Sequence, residues 1–199
     1  QAAAYLEETG DLDREDHTDT FIFTIDPPDA KDFDDAINIS FDSKTKEWEL
    51  GVHIADVACF VQTGSALDLG AIERGNSVYL PRHVIPMLPE VLSNGVCSLQ
   101  EGVRRWAKSV FIRFDNKGRV LGHRLRNTVI CSAKRLTYLE AQALIDGNEK
   151  EARKNSVTGG EYSTQLIESL KLADQLAKKL LSRRRNDGMI ELQLPEVVL

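Results

Sequence analysis

Five aspartates fall within the eleven residues Asp26-Pro27-Pro28-Asp29-Ala30-Lys31-Asp32-Phe33-Asp34-Asp35-Ala36, between two apolar runs. Two unit charges about 4 Å apart cost roughly 4 kcal/mol at an effective dielectric near 20, so carboxylates this dense need a counter-charge if a partly buried turn is to hold them. A divalent cation would supply it. Mg²⁺ takes hard oxygen ligands and is held by one or two carboxylates together with waters and substrate phosphate oxygens, which points to phosphoryl chemistry. A solvated acidic turn is the plain alternative, and the structural context weighs against it. The run Thr20-Phe21-Ile22-Phe23-Thr24-Ile25 reads as a strand, stopped after Asp26 by two prolines that remove ladder donors and fix φ. Asp26 is therefore a side chain at a strand end.

Downstream, Ile37, Ile39 and Phe41 alternate with Ala36, Asn38 and Ser40, the pattern of a half-buried strand. Continued backward, that parity puts Asp35 on the apolar face and Asp32 and Asp34 on the other. For these to serve one site the backbone must bend, so a loop is expected there. An EF-hand is excluded, since no Gly stands at the sixth position and no Glu closes a twelve-residue loop.

The stretch from Thr24 to Ala36 resembles the signature of the ribonuclease II and ribonuclease R family, the RNB-type exoribonucleases. Aspartates fall six, eight and nine positions after Asp26, as that signature has them, with Asp29 outside the set. Two later blocks extend the resemblance. One runs Gly75-Asn76-Ser77-Val78-Tyr79-Leu80-Pro81, then Ile85-Pro86-Met87-Leu88-Pro89, and on through Leu99. The other is Arg184-Arg185-Asn186-Asp187-Gly188-Met189-Ile190-Glu191 with Pro195-Glu196.

The resemblance implies a 3′-to-5′ exoribonuclease that hydrolyses single-stranded RNA to nucleoside 5′-monophosphates by two-metal chemistry, with Mg²⁺ as cofactor and Mn²⁺ as the alternative. It implies Asp26, Asp32, Asp34 and Asp35 as the catalytic set. Asp26, Asp32 and Asp35 would hold metal, Asp34 would orient the attacking water or substrate, and Tyr79 would stack on RNA. It also implies a missing C-terminal half of the domain and flanking cold-shock and S1-type (OB-type) RNA-binding domains, so that this chain alone is weakly active or inactive. The other readings are a catalytically silent RNA-binding or scaffold module, and an unrelated Mg²⁺-dependent phosphatase. Only the aspartate loop, and none of the later blocks, supports the phosphatase.

Composition bounds the rest. A chain of 199 residues with 42% hydrophobic and 28% charged residues suits one globular domain or part of a larger one. A net charge of −6 argues against a strong non-specific nucleic-acid binder, so any RNA grip is local or lies in other domains. Cys59, Cys97 and Cys131 are far apart with no CxxC, which indicates neither disulfide framework nor zinc site and suits a cytoplasmic setting. No apolar run reaches membrane-spanning length and the start lacks signal-peptide features, so no membrane partner is expected. Residues 1–19 read as a connector from an upstream domain, and 20–199 as the N-terminal part of an RNB-type catalytic domain.

The elements that must position these residues follow from period and turn chemistry. The fold class is α+β: a mixed, largely antiparallel sheet built from hairpins, with helices packed on it. Asp42–Lys46 turns the Ile37 strand into a second one, where Trp48, Leu50, Val52 and Ile54 alternate with a polar set that includes His53. His53, near Asp56, reads as a hydrogen-bonded structural histidine and is not nominated as catalytic. Ser65 and Asp68 form a capping pattern for a short helix ended by Gly75, and a short strand at residues 76–81 follows. Ala107–Phe114 and Val120–Ile130 read as a hairpin turned at Asp115–Gly118, its basic residues solvated. Thr137 caps a helix over residues 138–145, and 148–160 reads as a polar loop. One long helix over about residues 161–185 carries the stripe Leu166, Leu170, Ala173, Ala177 and Leu180, with Arg183–Arg185 complementing its dipole. Met189–Leu192 reads as the start of another strand.

Overall fold

The alternating runs on either side of the acidic segment do form strands. In this computed structural model, which describes residues 13–80, 83–159 and 161–192, strand β1 spans Glu15–Asp26, β2 Asp35–Asp42 and β3 Glu47–Ala55. Helix α1 (Ala66–Arg74) follows, with Ser65 accepting from the Asp68 N–H at its start and Gly75 at φ 75° closing it. A small hairpin pairs β4 (Val78–Leu80) with β5 (His83–Ile85). Strands β6 (Arg104–Phe114) and β7 (Val120–Thr137) then lead into α2 (Tyr138–Ile145), α3 (Glu149–Asn155) and the long α4 (Thr164–Asn186).

The largely antiparallel sheet is closed into a barrel of order β1-β2-β3-β6-β7. Every neighbouring pair is antiparallel except β1 with β7, whose parallel ladder seals it. Closure depends on the length of β7, which pairs with β6 through Cys131 and with β1 through Thr137. The sequence reading stops this strand at Ile130, because Ser132, Lys134 and Arg135 interrupt its apolar run. Residues 15–19, read as connector, carry the first part of β1. Their partner is β7, more than a hundred residues away, so no local pattern marks them.

Closure also gives the two sheet faces roles that alternation alone does not assign. The apolar face, with Ile39, Trp48 and Phe114, turns outward and is covered by Leu176 and its neighbours on α4. The other face becomes the barrel interior, so His53 is fully buried. Its Nδ1 lies 2.7 Å from Ser109 Oγ and its Nε2 2.9 Å from Asn38 Oδ1. Gly51, on the same face, leaves room for this bond: a Cβ there would stand 1.9 Å from Asn38 Oδ1 and 3.1 Å from His53 Nε2. Gly51→Ala must turn Asn38 away and strand the buried imidazole N–H, a loss of about 1–3 kcal/mol that chemical denaturation will read as a lower midpoint.

At the C-terminal end, Thr137 caps α2 in a complete capping box with Glu140. Residues 149–155, expected as loop, form α3, because Asn148 caps it and Ala152 packs into the core with Leu144 and Leu166. The buried stripe of α4 runs Leu166, Ser169, Leu170 and Leu176, and Ala177 is exposed, since the helix follows the barrel surface and its contact face drifts. Arg183 at its end does more than complement the dipole: Nη1 donates to the Gly118 carbonyl of the β6–β7 turn at 2.9 Å. Met189–Leu192 is irregular. The expected continuation of that strand, with Pro195 and Glu196, lies outside the described residues, as does Pro81.

Candidate active site

Asp26 is the last residue of β1, and the chain leaves the barrel at the proline pair that follows it. A turn closes at once, with the Ala30 N–H donating to the Pro27 carbonyl at 3.2 Å. Phe33 then re-enters the protein, buried among Ile22, Ala36, Ala55 and Leu99. Its N–H donates to Ser98 Oγ at 3.1 Å, its carbonyl accepts from Leu99 N–H at 2.9 Å, and Ser98 Oγ donates to the Lys31 carbonyl at 2.9 Å. With Phe33 pinned inward, Asp32 and Asp34 on either side are turned away from the core. The Asp34 carbonyl takes the Ala55 N–H at 2.9 Å, and Asp35 opens β2 opposite Ile54. The bend expected between Asp32 and Asp35 is present, and Phe33 makes it.

These carboxylates border a cavity of about 840 Å³. Asp26, Asp32 and Asp34 line it together with Ile54, Ala55 and Val57, and Tyr79, Pro86, Met87, Leu92 and Asn94 also border it. Tyr79 is 72% exposed on β4. Asp35 is not part of the lining, yet it stands near enough to act on both Asp26 and Asp34. Burial raises the pKa of Asp26 above the usual carboxylate range; Asp35 and Asp32 add to this, against the Thr24 hydroxyl and the Arg135 guanidinium. Asp34 is raised by desolvation, then by Asp32 and Asp35. Asp34 is exposed by area, and the two observations agree physically: a cleft admits water to the carboxylate while surrounding it with low-dielectric protein.

The donor set suits a hard divalent cation. Asp26 Oδ2 is buried with no hydrogen-bond partner among the described residues, the Thr24 hydroxyl standing near the carboxyl without closing a bond of good geometry to it. The neighbouring carboxylates repel one another without a counter-charge. Among the described residues no three His, Cys, Asp or Glu side chains close round a single point. Asp26, Asp32 and Asp35 therefore share a neighbourhood without forming one three-ligand cage. Ions held by one or two carboxylates, with the remaining oxygens from water or phosphate, match what this geometry offers.

Comparison with known proteins places the chain in a family. The family model described as the RNB domain matches residues 14–199. The chain belongs to the RNB-domain family. Ribonuclease R 2 of Lactococcus lactis is 38% identical over 196 residues, which cover 96% of this chain and 28% of that protein. A solved structure, Mycoplasma genitalium RNase R in complex with ribose-methylated single-stranded RNA, superposes with a TM-score of 0.83 at 34% identity, covering 98% of this chain and 29% of that one. Yeast Ssd1, described as a pseudonuclease, shares the fold alone, with a TM-score of 0.64 at 23% identity. This RNB chain thus spans less than a third of the relatives it matches.

Three residues that shape the site carry no signal in the sequence. Ser98, fully buried, staples the acidic loop through its backbone on both sides of Asp32. Arg105 donates Nε to the Ser98 carbonyl at 2.9 Å and Nη2 to the Gly95 carbonyl at 3.2 Å, and so holds the far wall. Arg135 reaches the loop from β7. All three act through backbone carbonyls or amides, Ser98 and Arg135 on ones more than sixty residues away. His53, by contrast, sits inside the barrel as the structural residue it was read to be, and Asp56 is occupied by Arg14 at 2.7 Å.

Proposed function

We propose that the protein to which this chain belongs is a Mg²⁺-dependent 3′-to-5′ exoribonuclease, releasing nucleoside 5′-monophosphates from single-stranded RNA. The observation that carries this is the convergence of Asp26, Asp32 and Asp34 with Tyr79 on one cavity, with Asp35 beside it. RNA as substrate is supported by the bound single-stranded RNA named for the Mycoplasma relative. A cytoplasmic setting is in keeping with three free thiols, and among the described residues no helix is long and apolar enough to cross a membrane.

In this reading Asp26, Asp32 and Asp35 hold the metal, with Mn²⁺ able to replace Mg²⁺. When bound, the ions would lower the pKa of a water and neutralise charge on the departing oxygen. Asp34 orients that water toward the terminal phosphodiester. The water oxygen bonds to phosphorus, the bond to the 3′ oxygen of the preceding nucleotide breaks, and that oxygen leaves with a proton. Tyr79 offers an exposed ring on which a base can stack without regard to sequence. Tyr79→Ala should weaken single-stranded RNA binding by about 1–3 kcal/mol, read by fluorescence anisotropy, and leave the melting temperature unchanged because the ring is outside the core.

The test is to assay the full-length protein on single-stranded RNA, single-stranded DNA and a small phosphate ester, with Mg²⁺ and with chelator. Mononucleotide release from RNA alone, abolished by chelator, supports the proposal. Turnover of the ester without RNA hydrolysis would indicate a phosphatase. RNA binding without turnover would indicate a silent module, against which the presence of all four aspartates argues.

A further inference from the structure

The acidic loop cannot set its own shape. Residues 27–34 contain no helix or strand, and the aspartates among them repel. Ser98 fixes its second half. The first half, from Pro27 to Ala30, is held by Arg135.

Barrel closure puts Arg135 in reach. The parallel ladder sets Arg135 opposite Thr24 and Thr137 opposite Asp26, so the arginine emerges beside the point where the chain leaves β1. Its Nη2 lies 3.4, 3.0 and 3.1 Å from the carbonyl oxygens of Pro27, Pro28 and Ala30, sharing two hydrogens among three acceptors. The guanidinium carbon stands 4.6 Å above the Phe33 ring, the same ring that pins the loop inward. The Arg135 backbone N–H donates to Glu101 Oε2 at 2.9 Å, which anchors the arginine's own position. Arg135 does not line the cavity, so it acts on the carboxylates through the loop that carries them and as the positive charge acting on Asp26. Only a planar cation can lay its face on Phe33 while its edge donates to the carbonyls. Lysine, a point charge on a flexible stem, cannot do both.

We propose that Arg135 is a positioning residue of the acidic site, holding Asp26, Asp32 and Asp34 in register by clamping the Pro27–Ala30 carbonyls against the Phe33 pin. The proposal rests on the reading that these aspartates are the working carboxylates. Hydrogen exchange followed by mass spectrometry on the full-length protein tests it, with Arg135→Met and Arg135→Lys beside wild type, together with calorimetric Mn²⁺ titration and thermal melts. In both variants the amides of residues 29–35 should exchange about tenfold faster or more, while the barrel strands keep their protection and the melting temperature moves little. Mn²⁺ affinity should fall by about 10–100-fold, the usual effect of losing a group that orients ligands from outside the metal shell.

Wild-type exchange in a folded Arg135→Met chain overturns the proposal, and so does faster exchange with undiminished Mn²⁺ affinity. If Arg135→Met does not fold, Arg135→Lys decides by the same two readings. Should the wild-type chain bind no Mn²⁺, the metal-site reading falls, and the exchange comparison by itself still decides whether Arg135 sets the loop.

Discussion

Asp34→Asn in the full-length protein will bind RNA as wild type does and fail to hydrolyse it, with kcat lower by about 10²–10⁴-fold, the range for loss of a group that positions a proton-transferring water. The side chain is a suitable place for so selective a loss. It points away from the core beside the Phe33 pin and has no side-chain hydrogen bond among the described residues, while its backbone carbonyl, untouched by the substitution, keeps the bond to Ala55 N–H. Its carboxyl is raised by desolvation and by Asp32 and Asp35, so in the ionised form it weakens the metal-free fold. The sign follows: with a folded pKa above the unfolded one, the folded state binds more protons, and metal-free stability falls as pH rises through the carboxylate range. Asparagine removes that repulsion. The variant should therefore melt at a slightly higher temperature than wild type in chelator, a small effect because water screens an exposed carboxylate. Hydrolysis near the wild-type rate in a full-length Asp34→Asn protein would sink the role given to this residue.

How much of this was legible without coordinates depends on the distance over which each feature is decided. The spacing from Asp26 to Asp35 and the proline pair are local, and they placed a strand end, a loop and the start of the next strand where the structure has them. Caps at Ser65 and Thr137 are local too, and both hold. Features decided by partners far along the chain were not legible. The strand from Glu15 takes its order from β7, β7 itself runs on through polar residues, and α3 forms because Ala152 finds Leu144 and Leu166. The site divides in the same way: the carboxylates are written in one stretch, whereas Ser98 and Arg135 meet the backbone of that stretch only once the barrel has closed.

The barrel interior yields the second large expectation: the chain loses stability as pH falls from about 6.5 toward 4, by an amount set chiefly by His53. Asn38 presents its carbonyl oxygen to Nε2, so that nitrogen carries the proton, and Nδ1 accepts from the Ser109 hydroxyl. Thr128 Oγ1, 2.6 Å from Ser109 Oγ and 3.3 Å from the Ala107 carbonyl, then directs its one proton mainly to the nearer Ser109. Every polar atom of the imidazole is satisfied in the neutral form, and a second ring proton would meet the hydroxyl hydrogen of Ser109. Burial, with His17 adding like charge, pushes the pKa down to about 4. In the unfolded chain His53 takes up a proton near pH 6.5, so between the two values the unfolded state binds more protons and gains on the folded one. Over that window the loss is about 3 kcal/mol, or roughly 6–12 °C in melting temperature for a chain of this size. Asp26 and Asp34, with raised pKa values, work in the opposite direction, so the comparison with His53→Gln is what isolates the effect. Glutamine keeps a donor and an acceptor at this place but cannot titrate. Melts of the two proteins from pH 7 to pH 4.5 should converge as the pH falls; parallel curves would mean that His53 is already protonated inside the barrel or never buried there.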